Sequence, residues 1–220
     1  FGLTFQLALM SVLIGTLIAI PLGVTAALFR GRWVDYAVRL FATVGMAVPS
    51  FWLGMLIMLA LLTWLRWLPA ITFTPFYVDP LTNLSQLIWP ALAVGYRFAA
   101  VLTRIVRSTL LDVLNEDYIR TARAKGVNEK VVVWKHALRN ALLPTVTVIA
   151  LEFAFLLGGL VVTEQVFNIN GIGRLLIQAV SLSDIGLIQG LVMQFALIYV
   201  IANFVVDLLY AMLDPRIRVR

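Results

Sequence analysis

The chain has 220 residues, of which 62% are hydrophobic and 13% charged, with a mean hydropathy of +0.98; soluble domains hold roughly 45–50% apolar residues, and here the excess lies in blocks rather than in periodic stripes. The net charge of +6 does not indicate a nucleic-acid binder, because the basic residues are parcelled out between apolar blocks. Cysteine is absent and there is one histidine, which excludes a disulfide framework, a thiolate metal site and a multi-histidine metal site.

In chain order, residues 3–29 and 40–65 carry no charged side chain, and each exceeds the ~20 residues that cross ~30 Å of hydrocarbon as a helix. Both are predicted to span. Pro21 and Pro49 fall inside them and predict kinks, since proline removes a helical hydrogen bond and clashes with the preceding turn. The chain opens on Phe1 with neither an initiator Met nor a basic leading region, so the first block reads as a span and not as a signal peptide; a further N-terminal span is expected in the full-length protein. From Pro69 to Gln86 the residues Pro75, Asp79, Pro80 and Asn83 predict an irregular loop. A third span is placed at 87–111 although Arg97, Arg104 and Arg107 interrupt it. The fourth, 141–163, carries only Glu152. NINGIG at 168–173 predicts a turn, and Ile172, Leu175, Leu176, Ala179 and Val180 recur at helical spacing, predicting a short amphipathic helix along the outer membrane face. The uncharged segment 185–206 is the fifth span. Gly158 and Gly159 are expected to allow close helix packing.

All of the 17 Lys and Arg except Arg66, Arg97 and Arg174 fall on alternate connections: Arg30 to Arg39, Arg104 to Arg139, and Arg216 to Arg220. This is the positive-inside asymmetry. It places those segments in the cytoplasm and residue 1 outside, which five spans satisfy. The fold class is therefore all-α: one polytopic transmembrane domain over 1–220, with a charged cytoplasmic segment at 115–140.

Within that segment Asn115, Glu116 and Asp117 suit the positive end of a helix dipole. Gly126 stands where a left-handed residue would stop the helix. Asn128 can cap a second helix, with Val127 and Val132 spaced as a hydrophobic staple. Two short helices joined by a glycine turn follow, and Pro144 begins the next span at a position where its missing N–H is harmless.

No G-x-x-x-x-G-K-[ST] motif is present, so no P-loop cradles a nucleotide here. His136 lies at the cytoplasmic edge, which argues against a membrane serine hydrolase. The pattern points to binding and movement rather than bond-making. Charges at membrane depth cost at least ~2.5–3.5 kcal/mol on insertion scales, so Arg97 and Glu152 are candidates for a solute path, a gate or an ion pair with each other. Glu164 and Asp207, near span ends, are weaker candidates for which an ion pair or interfacial exposure suffices.

The stretch DYIRTARAKG at 117–126 followed by HALRNALLP at 136–144 resembles the cytoplasmic loop of permease subunits of bacterial ABC importers, in the form carried by dipeptide, oligopeptide and nickel permeases. The general E-A-A-x₃-G signature falls on Arg120, Thr121, Ala122 and Gly126, and only Ala122 and Gly126 match it literally. IPLG at 20–23, VPSFWLG at 48–54, RSTLLDVLNEDY at 107–118, TEQVF at 163–167, GIGRLL at 171–176 and VDLLYAMLDPRIR at 206–218 extend the similarity along nearly the whole chain. Within that family the chain resembles B-type dipeptide permeases in particular.

The resemblance implies a type I importer permease (MetI-like) fold in the bacterial inner membrane, and a non-catalytic subunit. It also implies a second permease subunit, two ATP-binding subunits that hold the ATP and Mg, and an external solute-binding protein. Residues Asp117, Tyr118, Arg120, Thr121, Ala122, Arg123, Ala124, Lys125, Gly126, Asn128 and Glu129 would then couple to the ATPases. Similar permeases handle dipeptides, longer peptides, glutathione, nickel complexes or sugars. The alternative from another class is a membrane scaffold or membrane-embedded enzyme whose basic loop attaches lipid or protein.

Overall fold

In a computed structural model the described residues are mostly helical, with no strand among them. The structure describes residues 1–66 and 72–213, the side chains of 159, 206, 207 and 209–213 excepted. Eleven helical segments follow in order: α1 (Gly2–Leu28), α2 (Trp33–Ala47), α3 (Ser50–Ala60), α4 (Pro80–Leu114), α5 (Asp117–Ala124), α6 (Glu129–Val131), α7 (Leu138–Ala141), α8 (Leu143–Gly159), α9 (Val161–Val166), α10 (Ile172–Ser181) and α11 (Ile185–Leu213). Wider π turns continue α3 through Leu61–Leu65 and join α6 to α7 through Val132–Ala137.

The apolar runs at the two ends become single helices long enough to cross a bilayer, α1 and residues 185–205 of α11. The second run does not. Its two helices, α2 and α3 with its π turn, meet at 100°. Val48 is extended there (φ −89°, ψ 121°), as the residue before a proline is driven to be, and Pro49 cannot donate the hydrogen bond that would continue the helix. The expected kink is thus a corner, and 40–65 is not one continuous helix.

The third run is longer than its hydropathy indicates. Asp79 accepts hydrogen bonds from the Leu81 and Thr82 amides at 3.1 and 3.2 Å, and Pro80 occupies the first turn, where its fixed φ suits a helix start. The helix therefore begins inside the segment expected to be loop and runs 35 residues to Leu114. The fourth run is divided: Pro144 sits in the first turn of α8 as expected, but the helix breaks at Leu160 before α9.

α4 is the axis of the molecule and packs against α1, α2, α3 and α8. Its closest neighbour is α1, and small residues set the spacing. A Cβ on Gly15 would stand 2.6 Å from Phe98 Cδ1 and 2.9 Å from the Gly95 carbonyl; one on Gly95 would stand 2.8 Å from the Ser11 carbonyl. Such contact between backbones is how membrane helices associate when lipid removes the hydrophobic drive. Around it lie the buried side chains Leu7, Phe98, Leu102, Val106 and Leu110. Gly158, by contrast, has nothing of this chain within 4 Å of where a Cβ would stand, and the surroundings of Gly159 lie outside the described residues, so within the chain the close packing is seen between α1 and α4.

Candidate functional site

The charged segment after α4 folds as a hinged pair. α4 ends at Asn115, whose side-chain amide donates back to the Leu111 carbonyl at 2.9 Å. Asn115 therefore closes α4 rather than opening the next helix, and Glu116, extended at φ −67° and ψ 149°, stands at the N-cap of α5 without a side-chain capping bond. Asp117 then lies in the first turn and Arg123 in the last, each at the favourable end of the helix dipole. Gly126 adopts φ +76°, the left-handed geometry that stops a helix. Asn128 caps the following turn, its Oδ1 accepting from the Lys130 amide at 2.9 Å.

Three contacts hold this pair in register. Ile119 is fully buried and joins Val132, Ala137 and Leu138 in the core, so α5 is anchored by one apolar side chain. Arg123 reaches over the glycine turn to Glu129, with Nη2 donating to Oε1 at 2.7 Å and Nε to Oε2 at 3.1 Å. That guanidinium holds the Glu129 carboxyl below the usual range, chiefly through the hydrogen bond. Asn140 Nδ2 donates to the Tyr118 hydroxyl at 2.8 Å, tying α5 to the far end of the segment. Arg120, Thr121, Ala124 and Lys125 are exposed, while Ala122 is partly buried. A shallow cleft of about 370 Å³ between Tyr118, Thr121, Lys125 and His136 opens beside them. A basic face is thus presented outward on a short helix whose orientation is fixed from behind.

Among the charges at membrane depth, Arg97 is exposed on α4 and Glu152 is partly buried on α8. No ion pair within 4 Å joins them: the salt bridges among the described residues are Arg107–Asp35, Arg120–Asp117 and Arg123–Glu129. The Asp207 side chain lies outside the described residues. Glu164, for which an ion pair or interfacial exposure is the expectation, instead forms no salt bridge among the described residues; it is fully buried and caps another helix. Its Oε1 accepts from the Thr4 hydroxyl at 2.6 Å, its Oε2 accepts from the Arg174 amide at 2.9 Å, and the Gly173 amide also donates to it. The Ile172 amide donates to Thr4 Oγ1 at 3.1 Å. The first three N–H groups of α10 are therefore satisfied by side chains of α1 and α9, because the N-cap residue of α10, Gly171, has none to offer.

Sequence reasoning missed one pair. Asp35, 2% exposed, receives both Arg107 Nε and Nη2 at 2.7 and 2.8 Å, and the Gly31 amide donates to it at 3.0 Å. The available signal was that Asp35 is the sole acid among the arginines at 30–39.

Comparison with known proteins places this arrangement. Residues 19–219 match the family of the binding-protein-dependent transport system inner membrane component. The chain is 43% identical over 215 residues to the glutathione transport system permease protein GsiC of Salmonella typhi, covering 98% of this chain and 68% of that protein. It is 42% identical over 215 residues, with the same coverage, to a putative peptide transport system permease protein of Brucella abortus (strain 2308). Two solved structures share the fold at low identity. One is the MetNI methionine ABC transporter in inward-facing form (TM-score 0.69, 17% identity, 96% of this chain and 93% of that one). The other is an amino acid ABC transporter with histidines (TM-score 0.66, 15% identity, 94% and 88%). The corner at Pro49, the glycine-hinged basic helix pair and the capped helix α10 are thus parts of an importer's membrane subunit, and the alternative of a scaffold or enzyme falls away. The chain belongs to the binding-protein-dependent transport inner-membrane family and is the permease subunit of a binding-protein-dependent ABC importer.

Proposed function

We propose that this permease forms part of the path for a dipeptide, an oligopeptide or a related small solute such as glutathione, handed over by an external binding protein and driven by two ATP-binding subunits below. The names of the relatives, which concern glutathione and peptides, support that solute class. The observation that carries the coupling reading is the exposed face of α5, pinned from behind by Ile119 and by the Arg123–Glu129 bridge. Residues 117–129 seat in a groove of an ATP-binding subunit, with Arg120, Arg123 and Lys125 making charge contacts and Thr121, Ala122 and Ala124 allowing close approach. Nucleotide is held by the partners, and a second permease subunit completes the path. The single domain 1–220 crosses the bacterial inner membrane several times, with segments 30–39, 115–140 and the C-terminal residues on the cytoplasmic side, as the distribution of Lys and Arg supports. Arg97 and Glu152 face the path.

A photocrosslinker on a single Cys tests this, since the chain has no native Cys. Placed at Ala124 it should trap an ATP-binding subunit in the assembled transporter, and at the exposed Leu182 the external binding protein. The reverse pattern refutes the reading, as does ATP hydrolysis by the isolated chain at the rate of the whole complex.

A further inference from the structure

A groove of about 920 Å³ lies between α2 and α4, within the ~300–1,000 Å³ that takes up a small organic ligand. Its α2 wall is Arg39, Thr43 and Met46, and its α4 wall includes Val101, Arg104 and Ser108. Arg97, Val101, Arg104 and Ser108 follow one another at spacings of four, three and four residues, which puts them on one face of the helix. Arg104 is thus two turns from Arg97, about 10 Å along the axis at 1.5 Å per residue. The face that carries Arg97 runs into the groove.

Among the described residues no carboxylate lines it. Asp35 borders it only through Arg107, which donates to both of its oxygens at 2.7 and 2.8 Å, so that pair adds no net charge. Arg39 and Arg104 are left uncompensated. Arg39 lies 5.9 Å over the Tyr36 ring. The hydrogen bond that the Arg104 guanidinium makes goes to Met46 Sδ at 3.1 Å, and a thioether is a weak acceptor. Neither arginine, nor Arg97, has a salt bridge among the described residues, and all three are exposed. Their N–H forks are therefore largely unspent, and such a fork matches a carboxylate through two parallel hydrogen bonds. A carboxamide brings one acceptor and no charge, and a cationic solute finds no acid on these walls.

We propose that the groove is a section of the solute path that selects for a free carboxylate: the C-terminal carboxylate of a small peptide passes between Arg97 and Arg104, with Arg39 facing it from α2. This rests on the reading above in which Arg97 faces the path, and adds to it the groove and the chemical group recognised there.

The test uses the assembled, nucleotide-free transporter without its external binding protein, so that the selectivity of the binding protein does not enter. Thr43→Cys places a thiol on the groove wall of a chain with no native Cys, and its labelling is read on this chain's own peptides by mass spectrometry. At low ionic strength the thiol should react faster with an anionic methanethiosulfonate than with a cationic one, each normalised to a free thiol in solution. Arg104→Gln should lower that ratio by roughly five-fold, the effect of a unit charge about 8 Å away in water, and Arg104→Lys should restore it. Arg104 is exposed and holds no acid, so its replacement strands no buried charge.

Ala-Ala and N-acetyl-Ala-Ala should slow the labelling, and Ala-Ala amide should not. In Arg104→Gln the Ala-Ala concentration required should rise by roughly ten-fold or more, as for a lost hydrogen bond to a charged group. Equal protection by acid and amide, protection by none of the peptides, or unchanged protection in Arg104→Gln overturns the inference. Equal protection by sulfate makes the groove a general anion site and overturns the peptide assignment. The path itself is scored separately, by Ala-Ala uptake with the binding protein restored. A bulky maleimide on Thr43→Cys should cut uptake several-fold relative to the same protein unlabelled, with the complex still assembled. Undiminished uptake overturns the reading that this face of α4 lines the path, and the inference with it. Blocked uptake together with equal protection by acid and amide overturns the carboxylate selection alone.

Discussion

Replacing Glu164 by Gln should loosen α10 without altering the spans. The change is nearly isosteric, but it exchanges one of two acceptor oxygens for an N–H₂ group. The carboxylate now accepts from Thr4, Gly173 and Arg174 in a site closed to solvent. The amide must turn its nitrogen toward Thr4 or toward the α10 amides, so at least one donor loses its partner. A hydrogen bond to a charged acceptor contributes ~1.5–3 kcal/mol, and the favourable field of the helix N-terminus adds ~0.3–1 kcal/mol. Taking about 2–3 kcal/mol, local opening of α10 should rise by roughly 30- to 150-fold. Hydrogen–deuterium exchange of peptides covering 171–181 in the reconstituted transporter measures this, with peptides from α4 as the unchanged reference. Thr4→Val should give a smaller increase in the same peptides, and the double variant less than the product of the two, because both side chains serve one chain of hydrogen bonds. Exchange in Glu164→Gln within twofold of wild type would refute the capping argument.

Gly126→Val forces a β-branched residue to φ +76° and should weaken ATPase docking and uptake while leaving membrane insertion intact; normal uptake by this variant counts against the hinge. Arg97→Gln removes an exposed cation with no ion pair within 4 Å among the described residues, so expression and ATPase docking should persist while uptake falls; poor expression rescued by Glu152→Gln would instead reveal a structural pair. For the Arg123–Glu129 bridge, the lowered folded pKa of Glu129 means that its contribution is present above the ordinary carboxyl range, about 4.3, and is lost as pH falls through the lowered value. The orientation of α5 against α6, followed by spin-label distances, should therefore hold from pH 8 to pH 5. Arg123→Gln should return the Glu129 titration, read by carboxyl ¹³C shift, to the ordinary range, and an unchanged titration refutes the bridge.

Much of the architecture was legible because it is local. The uncharged runs at 3–29 and 185–206 could hardly be anything but membrane helices, and Gly126, Asn128 and Pro144 each stand at the position where backbone stereochemistry wants that residue. What was not legible depends on partners distant in sequence. Asp35 and Arg107 are separated by 72 positions and Thr4 and Glu164 by 160, and no periodicity announces such pairs. Pro49 predicted a disturbance, but whether a proline makes a bend or a 100° corner is decided by what the two halves pack against. The start of α4 was obscured by its own turn residues: Asp79 and Pro80 read as loop when taken as composition, and as a cap followed by a first turn when taken in order. Which way Arg97 and Glu152 face depends on the rotation of α4 and α8, which single-sequence hydropathy does not encode.

The unbroken course of α4 makes it a lever. Its 35 residues extend about 52 Å at 1.5 Å per residue, from the cap at Asp79 to the junction with the hinged pair at Asn115. A tilt of about 10° at the lower end would carry the upper end through roughly 9 Å by that length. Because Gly15 and Gly95 leave no room between α4 and α1, α1 must travel with it, and Thr4 at the top of α1 holds α10. On the coupling proposed above, a small push on α5 at one end of α4 would become a large displacement of α10 at the other.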